Sequence, residues 1–515
     1  MNGAEALLRT LAANGVDVCF MNPGTSEMRF VAALEHVDDV RGMLCLFEGV
    51  CAGAADGYAR ISGKPAATLL HLGPGLANGL SNLHNARKAR SPVVNIVGEH
   101  STRHQQYDAP LSADIPAFAR TVSGYVRVVA QAAEMGRAAA ETIAAAIAPP
   151  GQVATLIVPA DVSWSEAGGC GPLVERPQRP LPASQAIARA ADLLKQEGTA
   201  LLLGGTTVND RALAAAGRLA ARTGAAVFAD RNTPRIAWGR GRFHPRIVPY
   251  FPEPALAALA GVRSLIVVES QAPVSFFGYP NTPSYLLPEG CPVFVLAQRS
   301  EDGTSALEAL MEECGAARAA VPVDASEPLP APTDGPLTLE AMGAALAASM
   351  PDSAILSDEM VSAGGAVIPY LAHAAPHDRM PVTGGSIGQG LPVALGAASA
   401  APHRKVIALE ADGSAMYTLQ SLWTMARENL DVLVVIFANR RYEILEIEMR
   451  RVGVDILSEK LRDCIDIGRP CLDWLRLSEG MGVPATRAGD AAEFTAQLQA
   501  ALRMHGPRLI EAVLS

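Results

Sequence analysis

The stretch Val406-Ile407-Ala408-Leu409-Glu410-Ala411-Asp412-Gly413-Ser414-Ala415, read on to Val432-Leu433-Val434-Val435-Ile436-Phe437-Ala438-Asn439, decides the fold. Val406–Leu409 is apolar and β-branched, and Asp412-Gly413 reads as its exit turn. Leu419, Leu422, Trp423 and Ala426 then recur at helical spacing, and Val432–Phe437 reads as a second strand. Strand, helix and strand in this order make a right-handed crossover whose strands are parallel and commonly neighbours. Asp412 and Asn439 then emerge at the same sheet edge. A carboxylate, an amide oxygen and a backbone carbonyl form an all-oxygen set that suits Mg²⁺, which keeps positions open for phosphate oxygens. Gly413 lets backbone amides approach such phosphates closely.

The same alternation of apolar runs and helical patterns fills the rest of the chain. Val16–Phe20, Ala67–Leu70, Val93–Val97 and Ala154–Val158 read as strands in the first part. Ala200–Leu203, Ala225–Ala229, Leu265–Val268 and Val293–Leu296 do so in the second, and Ala354–Leu356 and Leu509–Val513 complete the third. Proline-rich stretches at Gly171–Pro182 and Pro322–Pro336 separate the parts. The expectation is an α/β protein of three doubly wound parallel-sheet domains, at 1–168, 183–321 and 337–515. Ligands on such sheets bind beyond the carboxyl ends of the strands, so those loops hold the candidate residues.

Composition narrows the class. The chain has 515 residues, 49% of them hydrophobic, and a formal charge of −10. That balance speaks against nucleic-acid binding, which rests on basic patches. The basic run Arg87-Lys88-Ala89-Arg90 reads as a solvated helix end. Eight cysteines without a C-x-x-C pair read as reduced, buried thiols. The Met1–Glu5 start lacks a basic leader region, and Glu134, Arg137 and Glu141 make Ala130–Ala148 an amphipathic helix rather than a membrane span. A soluble cytoplasmic protein is expected.

The Asp412–Asn439 segment resembles the diphosphate-binding motif of thiamine-diphosphate (ThDP) enzymes, which begins Gly-Asp-Gly and ends Asn-Asn. Ala411 replaces the first glycine and Ala438 the first asparagine. The resemblance implies Asp412, Asn439 and the backbone carbonyl of Arg441 as Mg²⁺ ligands. It further implies Gly413, Ser414, Tyr442 and Ile444 as cofactor contacts. Such enzymes need one glutamate in a water-poor setting to hydrogen-bond the aminopyrimidine and favour its imino form. Glu48 fits, following Met43-Leu44-Cys45-Leu46-Phe47 and opening a helix through Asp56-Gly57-Tyr58-Ala59-Arg60. This text is similar to the glutamate helix of the acetolactate synthase and benzoylformate decarboxylase families. Asn22-Pro23-Gly24-Thr25-Ser26-Glu27 resembles the first strand-exit loop of the decarboxylase, and Gly73-Pro74-Gly75-Leu76-Ala77-Asn78 the Gly-Pro-Gly loop of the synthase. Pro23, Gly24, Gly75 and Asn78 are thereby implied as cofactor contacts. In Thr383–Pro392, Gly385 and Ser386 join them, and Ile387 takes the place of the apolar wedge that folds the two cofactor rings together.

On the substrate side, His71 matches a catalytic histidine of benzoylformate decarboxylase, and Thr25 a pocket serine that binds the substrate carboxylate. The second histidine of that enzyme has no counterpart, because Gly278 stands at its place in Ala272–Tyr279. Glu446 and Glu448 border the implied pocket as solvated helix glutamates, and Arg103–Tyr107 forms a polar loop. In the family the middle domain is structural or carries FAD. Leu202–Thr206 lacks a full dinucleotide fingerprint, so FAD finds no support in the sequence. The resemblance implies a homodimer or homotetramer with the cofactor between subunits. Three readings stay open: a 2-oxo acid decarboxylase, an acetolactate-synthase-like carboligase, and a non-catalytic ThDP-binding homologue.

Overall fold

The computed structural model describes residues 1–323, 334–454 and 458–514. Pro328, Pro330 and Pro332 of the second proline-rich stretch lie outside the described residues. The first stretch crosses without regular structure.

Fully apolar runs became buried strands, as their composition requires. The first sheet contains β1 (Val18–Met21), β2 (Arg41–Leu44), β3 (Ala66–Leu70), β4 (Val93–Glu99), β5 (Tyr125–Val128) and β6 (Val153–Pro159), in the order β2-β1-β3-β4-β6-β5. The second contains β7 (Thr199–Leu203), β8 (Ala226–Ala229), β10 (Arg246–Ile247), β11 (Ser264–Val268) and β12 (Val293–Ala297), in the order β10-β8-β7-β11-β12. The third contains β13 (Ile355–Glu359), β14 (His377–Pro381), β15 (Val406–Ala411), β16 (Val432–Ala438), β17 (Ala485–Ala488) and β18 (Arg508–Val513). Its order is β17-β18-β16-β15-β13-β14-β9, where β9 (Ile236–Trp238) comes from the middle of the chain. All named pairings are parallel except β9 against β14. The expected β15–helix–β16 crossover is present, with Val406 opposite Val432 and Ala411 opposite Phe437.

Several details differ from the sequence reading. Strands β2, β5, β9, β10, β14 and β17 were not anticipated. The Gly-Pro-Gly stretch is not a loop. It is the first turn of the helix Leu72–Ala89, whose N-cap is His71. Asp412 likewise opens a one-turn helix, Asp412–Ala415, and the following helix is Ser421–Arg427. The amphipathic helix is Met135–Ile147, and no helix among the described residues is long and apolar enough to cross a membrane. Of the cysteines only Cys19, Cys45 and Cys51 are buried; Cys170, Cys464 and Cys471 are exposed.

The first and third sheets meet through small residues. Gly53 and Gly57 of the helix Glu48–Ser62 face Pro392 and Val393 of the helix Gly390–Ala400, and a Cβ on Gly396 would fall 1.9 Å from the Ala54 carbonyl oxygen. Backbones this close exclude any larger side chain. Beside this contact the buried Arg60 gives Nε to Asp56 Oδ1 (2.8 Å), Nη1 to the Pro381 carbonyl (3.2 Å) and Nη2 to Thr383 Oγ1 (2.9 Å). Ser91 also donates to Asp56.

His377, on β14, is buried with Nδ1 2.8 Å from the Ala375 carbonyl and, among the described residues, no partner for Nε2. Burial holds its pKa down at about 4. The folded state therefore favours the neutral ring. This contribution is complete above the unfolded value near 6.5 and is lost as pH falls toward 4, amounting to roughly 3 kcal/mol. Denaturant midpoints between pH 7.5 and 5 are expected to fall less steeply for His377→Gln than for the unaltered chain.

Candidate functional site

Because β2, β1, β3 and β4 are parallel neighbours, their carboxyl ends bring four exits side by side. Glu48 follows β2, Asn22–Glu27 follows β1, His71 follows β3 and His100 follows β4. Glu48 begins its helix and is 6% exposed. Its Oε2 accepts a hydrogen bond from Asn78 Nδ2 (3.0 Å), and a Cβ on Gly75 would stand 3.2 Å from Oε1. Glycine at position 75 thus keeps one carboxylate oxygen open.

His71 is held by a residue to which the sequence reading gave no role. Its Nδ1 lies 2.8 Å from Oε2 of the buried Glu27, which also accepts from the Gly24 amide (2.7 Å). A carboxylate only accepts, so Nδ1 carries the proton and Nε2 is the ring's second working atom. Ser26 Oγ is 3.3 Å from the same Nδ1, whereas Thr25 is exposed on the short turn Thr25–Glu27. The hydroxyl beside His71 is therefore that of Ser26. A Cβ on Gly24 would fall 2.2 Å from His71 Nδ1, so only glycine admits the ring. The Arg103–Tyr107 loop is exposed, and the rings of His100, His104 and Tyr107 follow one another in tilted contact, with centroids 5.4 and 5.8 Å apart.

In the third sheet β16, β15, β13 and β14 are likewise neighbours. Asp412 follows β15 and Asn439 follows β16. Asp412 Oδ2 accepts from the Arg440 amide (2.7 Å) and Oδ1 from the Gly413 amide (2.8 Å), so the two exits are stitched together. Burial raises the Asp412 pKa. Asn439 Oδ1 accepts from the Arg441 amide (3.2 Å), and Arg440 takes a left-handed φ of 60° to make this turn. The site thus offers one carboxylate and neutral oxygens. These all-oxygen donors are of the type that a hard cation of the Mg²⁺ kind takes. Tyr442 lies over Gly413, where a Cβ would meet its ring at 2.4 Å.

The loop after β14 carries Gly385, Ser386 and the half-buried Ile387, with left-handed φ at Gly385 and Gly388. Two anchors hold it. Asn85 binds the Ser386 amide (3.2 Å) and carbonyl (2.8 Å). Glu359, at the end of β13, accepts from the amides of Gly388 (2.8 Å) and Gly390 (2.7 Å). Burial lifts the Glu359 pKa to about 7, and burial together with the facing Glu359 lifts that of Glu410 well above the usual range. Neither Asn85 nor Glu359 carried a sequence signal. Ile387, Gly385 and Ile444 line a cavity of about 530 Å³ with Tyr250, Phe276 and Phe277. Gly278, at the place of the absent histidine, is open to solvent.

The middle domain's Gly204-Gly205-Thr206 turn is occupied from within. Glu269 accepts from the Thr206 amide (2.8 Å) and the Gly303 amide (3.2 Å) and pairs with Arg179 (3.2 Å). Those amides do not fit a dinucleotide phosphate while the carboxylate sits there.

Comparison with known proteins bears on both site halves. Residues 1–119 match the N-terminal, and residues 366–512 the C-terminal, thiamine pyrophosphate-binding domain of thiamine pyrophosphate enzymes. IlvX of Mycobacterium tuberculosis, provisionally named an acetolactate synthase large subunit, is 48% identical over 100% of this chain and 99% of its own length. Benzoylformate decarboxylase of Pseudomonas aeruginosa is 29% identical over 98% of each chain. The solved ThDP-dependent 4-hydroxybenzoylformate decarboxylase of Rhodococcus jostii superposes with a TM-score of 0.88 at 25% identity, covering 100% of this chain and 99% of the other.

Proposed function

Because this chain belongs to the thiamine pyrophosphate enzymes, we propose that it is a 2-oxo acid decarboxylase needing ThDP and Mg²⁺. When bound, ThDP supplies a nucleophilic carbon and an electron sink. The observation that carries the decarboxylase reading is the His71–Glu27 pair beside Glu48. A histidine fixed at Nδ1 presents Nε2 for moving a proton to and from the reacting carbon.

In this reading Glu48 accepts the hydrogen bond of the pyrimidine ring, with Pro23, Gly24, Gly75 and Asn78 around it. Asp412, Asn439 Oδ1 and the Arg441 carbonyl hold the cation. Gly413 and Ser414 give amides to the diphosphate, and Tyr442 closes over them. Ile387 and Ile444 supply the apolar floor, and Gly385 and Ser386 the adjoining backbone. Ser26 and Thr25 border the substrate carboxylate. The two halves come from different subunits of a homodimer or homotetramer. Exposed Leu46 beside Glu48 and exposed Tyr417 beside the Asp412 turn are the apolar groups such an interface would cover. The three buried thiols accord with a cytoplasmic setting.

A second reading, carboligation in the manner of an acetolactate synthase, is favoured by the 48% identity to IlvX. Product analysis separates the two. The purified protein with ThDP and Mg²⁺ is incubated with pyruvate and with aromatic 2-oxo acids. An aldehyde with stoichiometric CO₂ is the expected result, and loss of activity on chelation is expected to be reversed by Mg²⁺. A 2-hydroxy-2-alkyl 3-oxo acid as sole product would replace the first reading by the second.

A further inference from the structure

The helix Glu443–Arg451 buries none of its residues, and nine residues are too few for a stable isolated helix. It is nevertheless fixed at both ends. At its start Glu443 accepts from Ser362 Oγ (2.8 Å) and pairs with Arg441 (3.2 Å). At its end Arg451 Nη2 reaches both oxygens of Glu253 (2.7 and 2.8 Å). The same guanidinium lies over the rings of Phe251 (4.7 Å) and Tyr279 (4.3 Å). One turn earlier Glu448 Oε1 accepts from the Tyr279 hydroxyl (2.9 Å). Between these ends Ile444, Leu445 and Ile447 line the 530 Å³ cavity together with Tyr250, Phe276 and Phe277. Among the described residues, Arg451 and Glu448 are thus tied to residues of the middle domain, which also supplies Tyr250, Phe276 and Phe277 of the cavity lining.

We propose that Arg451 is a positioning residue, clamping this helix onto Glu253, Phe251 and Tyr279 and so fixing the width of the cavity that receives the side chain of the 2-oxo acid. Its second half rests on the substrate reading given above. Glu253 is 56% exposed, so the ion pair alone contributes little. Stacking between two rings keeps Arg451 itself 19% exposed and supplies the geometry that a lysine does not reproduce. Glu446 is not part of the clamp, being paired with Arg450.

Two measurements test the clamp in the full chain. Hydrogen exchange of the 443–452 peptide is expected to speed up by about tenfold in Arg451→Ala and by less in Arg451→Lys, with the peptide of the helix Glu48–Ser62 unchanged. Glu253→Ala should act in the same direction and add little to Arg451→Ala. In kinetics, KM for benzoylformate should rise about fivefold in Arg451→Ala with kcat nearly constant, and KM for pyruvate should rise less. Unaltered exchange in Arg451→Ala overturns the clamp. Equal KM changes for both substrates overturn its role in cavity width. Should the unaltered chain convert neither 2-oxo acid, the substrate reading and the cavity-width role fall together, and exchange alone decides whether the clamp exists.

Discussion

Replacing Glu48 by Gln is expected to lower kcat by about 10³-fold while leaving the thermal midpoint and Mg²⁺ binding nearly unchanged, within the 10²–10⁴ range of a positioned proton-transfer group. Glutamine fills the same volume in this 6% exposed site and can still meet Asn78 through its carbonyl oxygen. What it lacks is the negative charge that favours the imino form of the aminopyrimidine. The direct readout is exchange of the ThDP C2 proton with solvent, followed by quenched-flow NMR. Exchange as fast in the variant as in the unaltered protein would remove Glu48 from the activating role, whatever happened to turnover. A general loss of structure would instead appear as a lowered midpoint.

The second large effect concerns stability. Arg60→Leu should lower it by about 3–5 kcal/mol, because removing one partner of a buried pair leaves the other charge uncompensated. Asp56 and Arg60 have wholly inaccessible side chains, and Arg60 also serves the Pro381 carbonyl and Thr383 of the third domain. Replacing both partners by leucine removes the stranded carboxylate, so the double variant is expected to recover part of the loss. Chemical denaturation of the four proteins of this cycle measures the coupling. Additive losses from the two single changes would show that the pair is not coupled.

Much of this architecture was readable in the chain. Strand β16 is apolar from end to end and β15 is so up to Glu410, and burial on both faces suits such runs. Asp412 and Asn439 could be placed at one edge because a crossover fixes the direction of its strands. Strand β14 lacks such a signal because its charges are answered from afar. In β14, Arg379 is paired with Asp358 and Asp378 with Arg404, so a charged pentapeptide becomes an interior strand. Glu27 escaped for the same reason. Its role exists only once β1, β3 and β4 pair side by side, bringing its exit to His71 and its carboxylate against Gly98 of β4, where a Cβ would stand 1.6 Å from Oε1.

The antiparallel pairing of β9 with β14 has an evolutionary and practical corollary. The middle domain is not a cassette that could be exchanged for that of a relative on the strength of its own sheet. Any graft that leaves out residues 236–238 strips the third sheet of its terminal strand and uncovers a row of unsatisfied amides and carbonyls. Bare edges of that kind recruit strands from other molecules, so chimeras cut without regard to this segment would be lost to aggregation before their chemistry could be compared.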